Sequence, residues 1–322
     1  MAARTQRDER TAQPKYRYQV KNWAETDRAL VNRGNLTIWF DQASIAQSWT
    51  PPRPVGRGKP GTYSDLAIQT CLTLKALFRL PYRATEGLLK SLMRLSALDL
   101  PVPDHTHMSR RAATLEVQIP RRPRTGATHV MVDATGLKIF GEGEWQVRSQ
   151  GDGKRRTWRK IHLVVDETAK DIIGIEVTSV DWHDSDVFPD LLAQVEGEVS
   201  QVAADGAYAT AGTHAAIRER DAKATIAPRE DAVTWGNDHP RDALLAEIQS
   251  RGRAGWKEDS AYHRRSIAEN MMYRLKQLGG HLFSRAFDRQ AAESHVRVAI
   301  INRFTYLGMP KSVRAEQIVA GV

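Results

Sequence analysis

Three β-forming runs in close succession constrain this chain more than any other feature: THVMVDATGLKIF (128–140), WRKIHLVVD (158–166) and DIIGIEVTSV (171–180). Each is rich in β-branched residues. GEGEW (141–145) makes a turn after the first, and the second and third are joined over about Glu167 to Lys170, so the spacing predicts an antiparallel meander. Asp133 stands in the middle of the first run, where a carboxylate costs free energy unless it is paired or ligates a cation. A helix over 184–195 follows, then a short apolar strand within SQVAADGAYAT (200–210) that ends in Asp205-Gly206. A helix at about 211–221 and a strand, AKATIAP (222–228), complete a mixed α/β pattern.

The 125 residues ahead of the meander differ in kind. They carry 21 Lys+Arg against 10 Asp+Glu, a net +11, whereas residues 126–322 carry 26 against 28, a net −2. A basic front on a near-neutral, carboxylate-rich back points to a polyanion-binding module, with nucleic acid the first candidate and an anionic membrane surface the weaker one. Residues 1–18 have no period and read as a flexible basic arm. Residues 50–63 form a Pro/Gly-rich basic loop. Helical patterns then run from Ser64-Asp65 to Phe78, from Tyr82 to about Leu98, and from His105 to Val117, the last carrying Arg110 and Arg111. Three short-jointed helices with a basic third member predict a helix-turn-helix-like DNA-binding domain over 19–125, bounded by RRPRT (121–125).

One cysteine, Cys71, in an apolar helical pattern excludes internal disulfides and thiolate zinc clusters. No apolar run approaches the ~18 residues of a membrane span, and the first residues are polar. A soluble protein of a reducing cytoplasm, with no membrane partner, fits.

A late helix carries the chemistry. In YHRRSIAENMMYRLK (262–276), Tyr262, Arg265 and Lys276 lie at offsets −7, −4 and +7 from Glu269. At about 100° per residue the four side chains fall within about 60° of one another on a helix. A carboxylate, two cations and a phenol make a poor core face. They suit either a metal ion with phosphates beside it or a solvated face with i,i+4 ion pairs.

The order of these features resembles the DDE transposases of bacterial insertion sequences. The helix carries that family's Y-x2-R-x3-E-x6-K signature at Tyr262, Arg265, Glu269 and Lys276, and VDATGLKIFGEGEW around Asp133 and ADGAY around Asp205 look like its other two motifs. NWAETDRALVNRGNLTIWFD (22–41) and GGHLFSR (279–285) are similar to one branch, insertion-sequence family five. The resemblance spans nearly the whole chain. It implies a ribonuclease-H-like catalytic domain over 126–322, with an insertion at about 229–260. Asp133, Asp205 and Glu269 are then the catalytic and metal-binding residues for two Mg²⁺ ions, with Mn²⁺ able to substitute, about 3.5–4 Å apart. Water would free a 3′-OH at the element's ends, and that hydroxyl would attack target DNA, so no protein nucleophile is needed. The implied partners are the terminal inverted repeats and target DNA, bound by a homodimer at the bacterial nucleoid, with Tyr262, Arg265 and Lys276 on phosphates.

Other polar residues have plainer explanations. Asp166, Asp181, Asp184 and Asp186 sit where capping and solvation account for them. His105 and His107 read as helix-start residues or phosphate contacts; Trp235 and Trp256 read as core or loop anchors, or, as the resemblance implies for relatives with a longer insertion, as aromatics that stack on a flipped base. His162 alternates with Lys160 on a strand and is a candidate supporting DNA contact. A catalytically inactive or domesticated DNA-binding protein or repressor is the alternative; the intact acidic triad argues against it.

Overall fold

The computed structural model describes residues 18–52, 61–140, 158–229, 231–236 and 239–314, so all of the 1–18 arm but Tyr18, most of the 50–63 loop and the GEGEW turn lie outside the described residues. Strand β1 (Tyr18–Val20) leads into helices α1 (Trp23–Arg33), α2 (Leu36–Trp39) and α3 (Gln42–Ser48), a stretch whose sequence shows only two broken apolar patterns. Asn35 and Asp41 cap α2 and α3 by accepting the backbone N–H groups of Thr37 and Ser44. Helices α4 (Asp65–Leu77) and α5 (Tyr82–Leu95) lie where the sequence predicts, with Ser64 capping the first. Together with α6 (His105–Arg111) these helices enclose Phe40, Trp49, Cys71, Leu74, Leu89 and Met108. Burial pushes the Cys71 thiol up to about 12, which makes it a core residue rather than a nucleophile.

The third helix is shorter than its pattern. It stops at Arg111 because the chain beyond is captured by α4: Gln69 donates its side-chain amide to the Gln118 carbonyl at 2.7 Å and accepts the Gln118 N–H at 2.8 Å. That reciprocal bracket holds the segment extended, and Arg110 and Arg111 lie in the last turn of α6.

The second half contains β2 (Thr128–Ile139), β3 (Trp158–Asp166) and β4 (Ile172–Ser179), then α7 (Asp184–Ala193), β5 (Val199–Ala204), α8 (Ala211–Arg218) and β6 (Lys223–Ile226). Helix α9 (Pro240–Asp259) lies within the 229–260 stretch and kinks at Gly252, whose φ of +75° suits glycine. Helix α10 (Ser266–Gln277), a short β7 (His281–Leu282), α11 (Phe287–Leu307) and β8 (Ser312–Arg314) follow. The sheet order is β4-β3-β2-β5-β6, with β7 added at the end of β2. The first three strands pair antiparallel, and β5 and β6 join in parallel on the far side of β2. This mixed α/β order is that of a ribonuclease-H-like sheet.

Strand alternation assigns side chains to two covered faces. Met131, Leu137, Ile161, Leu163 and Val165 pack under α10 and α11 with Met271, Leu275, Val298 and Ile301. Val130, Val132, Val164 and Val202 pack on the opposite face against Phe188 and Leu191 of α7 and Ile217 of α8. Helix α11 has a second contact surface: its Val296 and Ile300 close a cluster with Ile68, Leu72, Ala112 and Leu115, so the front helices and the sheet share this helix. Strand β1 also pairs antiparallel with β8, Tyr18 opposite Arg314.

Candidate active site

Three carboxylates lie in the same region on the α10 side of the sheet, near enough that two of them act on the charge of the third. Asp133 shares strand parity with Met131 and Leu137, which places it on that face. The parallel register sets Met131 beside Ala203, so Asp133 and Asp205 each lie two residues beyond the last parallel pair, and the Asp205 charge is felt at Asp133. Asp205 leaves β5 still extended and caps a 3₁₀ turn (Gly206–Tyr208), accepting the Ala207 N–H at 2.9 Å. Glu269 arrives from the first turn of α10.

Arg265 links them. Its Nη1 donates to Asp133 Oδ2 at 3.1 Å and its Nη2 to Glu269 Oε1 at 2.5 Å, so one guanidinium lies between two carboxylates. Burial pushes the Asp133 carboxyl up to about 6. The Arg265 charge and the Ala134 N–H oppose this shift, while the Asp205 and Glu269 charges add to it. Asp133 therefore feels the charge of both other acids in a half-dry setting that favours a cation. Among the described residues no three carboxylate, imidazole or thiolate groups converge closely enough to hold one ion. The donor set is nevertheless hard and all-oxygen, which suits Mg²⁺ binding through one or two carboxylates with water retained.

The predicted single helix over 262–276 divides in two. Ala261 takes a left-handed φ of +55°, and Tyr262–Arg265 form a 3₁₀ turn before α10. Side chains three apart eclipse in a 3₁₀ turn, so Tyr262 still stands over Arg265, whose charge opposes the burial that raises the tyrosine's pKa. Lys276 is exposed in the last turn of α10, about 10 Å along the helix from Glu269.

The remaining predicted contacts scatter. His162 is a correction. It is 0 % exposed, on the face opposite Asp133, with Nε2 2.9 Å from Thr178 Oγ1, so a DNA phosphate cannot reach it. Burial pushes its imidazole down to about 4. Arg110 is exposed, whereas Arg111 pairs with Asp65 and donates to the Tyr63 carbonyl at 3.1 Å. His105 bonds Glu86 at 2.9 Å and His107 packs edge-on to Tyr63, as helix-start residues do. Asp166 accepts from Thr168 and Ala169, and Asp184 from Lys160. Trp256 is core, and Trp235 is wedged between His239 and Arg241.

Sequence reasoning missed Tyr208. It is 1 % exposed, its hydroxyl has no partner among the described residues, and its pKa is raised by burial and by the charges of Asp184, Asp133 and Asp205. The signal was present in ADGAY, which sets a phenol three residues after the aspartate on a turn.

Two family models, each described as a transposase DDE domain, match this sequence, one over residues 31–142 and the other over 124–303. Solved structures with a similar course include a piggyBac transposase synaptic complex with hairpin DNA, at 11% identity and TM-score 0.40, covering 90% of this chain and 77% of that one. A Drosophila P element transposase strand transfer complex aligns at 13% identity and TM-score 0.28, covering 74% of this chain and 58% of that one. A Mos1 transposase paired-end complex with the left transposon end aligns at 8% identity and TM-score 0.23, covering 75% and 86%. These superpositions are too loose to transfer residue roles. The match over 124–303 spans more than half of the 322 residues, and the chain belongs to the DDE transposase family.

Proposed function

We propose that this chain is the transposase of a bacterial insertion sequence of the family-five type. It binds the element's terminal inverted repeats, hydrolyses a DNA strand at each end and joins the freed 3′-OH to target DNA. The observation that carries this reading is Arg265 drawn between Asp133 and Glu269, with Asp205 near enough for its charge to act on the Asp133 carboxyl. Asp133, Asp205 and Glu269 would hold two divalent cations, Mg²⁺ with Mn²⁺ as substitute, which supply charge stabilisation for an in-line displacement at phosphorus. The chain's own residues orient and neutralise. Arg265 fixes the rotamers of two carboxylates, Tyr262 lines up over it, and Lys276 offers an exposed cation for phosphate further along α10.

Residues 19–125 act as the reader of the ends, with exposed Arg110 as a phosphate contact, and 126–322 as the catalytic domain. Two copies on paired ends form the working assembly, at the nucleoid in the cytoplasm. No described helix is long and apolar enough to cross a membrane.

The test is nicking of supercoiled plasmid carrying the element's ends, in Mg²⁺, Mn²⁺ or EDTA. Wild type should cut in either metal and not in EDTA, and Asp133→Asn, Asp205→Asn and Glu269→Gln should each abolish cutting while retaining DNA binding. Wild-type cutting by any of the three variants would overturn the site assignment.

A further inference from the structure

A cleft of about 690 Å³ opens between α4, the α4–α5 joint and the first half of α11, at the far end of α10 from Glu269. Its walls carry Lys75, Arg79, Arg285, Arg289 and Arg297 against one carboxylate, Glu293. Glu293 and Arg297 satisfy each other at 2.6 Å. The glutamate also accepts the N–H groups of Phe283 and Ser284, and the arginine donates to the carbonyls of Gly279 and His281. That pair is the built floor. The other four cations pair with no carboxylate among the described residues. Arg79 spends one nitrogen on the Gln277 carbonyl at 2.7 Å, and Arg289 Nε is shut from solvent with no partner.

The mouth is aromatic. Phe140 and Phe283 are 62% and 49% exposed, with ring centroids 5.4 Å apart and planes tilted by 37°. Two large apolar rings left in water beside unpaired guanidinium groups serve neither a core nor an ordinary solvated face. Together they offer a π surface for a base and cations for the flanking phosphates. The cleft's volume lies in the ~300–1,000 Å³ range of ligand sites. A base inside a duplex has both faces stacked and the end pair is too wide for a cleft of this size, so the occupant is an unpaired base.

We infer that this cleft is a second DNA subsite, taking one unpaired nucleotide of a bound strand, with the base on Phe140 and Phe283 and the neighbouring phosphates on Arg79, Arg285 and Arg289. The inference rests on the reading that the chain acts on DNA. Helix α10 supplies continuity: it runs about 12 Å from Glu269 to Gln277, the residue Arg79 holds, and passes exposed Lys276 on the way. A strand leaving the carboxylates along this helix arrives at the cleft.

The experiment compares full-length protein binding to a blunt duplex and to the same duplex with a short single-stranded extension containing 2-aminopurine. Wild type should bind the extended duplex about tenfold more tightly and quench the probe. Phe140→Leu with Phe283→Leu should lose both effects and keep wild-type affinity for the blunt duplex, since both rings are largely exposed. Arg285→Gln with Arg289→Gln should flatten the salt dependence of extended-duplex binding by about 1.4 in logarithmic slope. Equal wild-type affinity for the two DNAs, or a preference that survives the double leucine change, would overturn the subsite while leaving the DNA reading intact. Displacement of the extension by millimolar free deoxyadenosine monophosphate would assign the cleft to free nucleotides instead. Failure to bind either DNA at low salt would overturn both readings.

Discussion

Replacing Asp133 by asparagine should make the protein more stable, by an amount the structure allows to be worked out. Burial raises this carboxyl from the ordinary 3.8 to about 6. The folded state therefore binds more protons than the unfolded chain between those values, and stability falls as pH rises through that window. At neutral pH the full shift of about two units, at 1.36 kcal/mol per unit, amounts to roughly 3 kcal/mol of stability withheld by one side chain. Asparagine keeps the shape and cannot ionise. Urea unfolding in EDTA should show Asp133→Asn about 3 kcal/mol more stable than wild type at pH 7.5, with the gap closing towards pH 4. A gap that does not change with pH, or an asparagine variant less stable at pH 7.5, would refute the claim that the aspartate is held at an energetic loss. Because a cation bound at the site would relieve the same repulsion, millimolar Mg²⁺ should stabilise wild type and leave the variant unmoved.

Two further outcomes test the scaffold. Asn302 on α11 accepts the Ile172 N–H and donates to the carbonyls of Ile172 and Pro120, fully buried, so Asn302→Ala should lower unfolding free energy by about 3 kcal/mol, measured by denaturant titration. A methyl at Gly174 would meet Val164 Cγ2 at 3.0 Å and the Leu191 carbonyl at 3.1 Å, so Gly174→Ala should cost about 1–3 kcal/mol and lower the melting temperature.

The sheet was legible because its strands are runs of Val, Ile and Thr broken at turns. β3 begins and ends where its pattern does, at Trp158 and Asp166. That Arg265 and Glu269 share a face was legible because a short repeat on a helix fixes which side chains neighbour one another; that Arg265 also reaches Asp133 was not, because it joins the helix to a strand 132 residues away. What failed did so for long-range reasons. His162 was misread because period-two alternation marks one wet face only in a half-exposed sheet, and β3 is central with both faces covered. The early end of α6 depends on Gln69, distant in sequence from Gln118. The aromatic pair at the cleft was hidden because Phe140 and Phe283 meet only after β7 pairs with β2.

Helix α11 presents Val298 and Ile301 to the sheet and Val296 and Ile300 to the front helices. A helix with two wet-averse flanks cannot be left half-dressed. Cutting the chain at residue 125 would strip Ile68 and Leu72 of their cover, and grafting foreign helices in place of the front ones would require rewriting α11 as well. Exchanging the front of this chain would therefore be a problem in repacking, not in splicing.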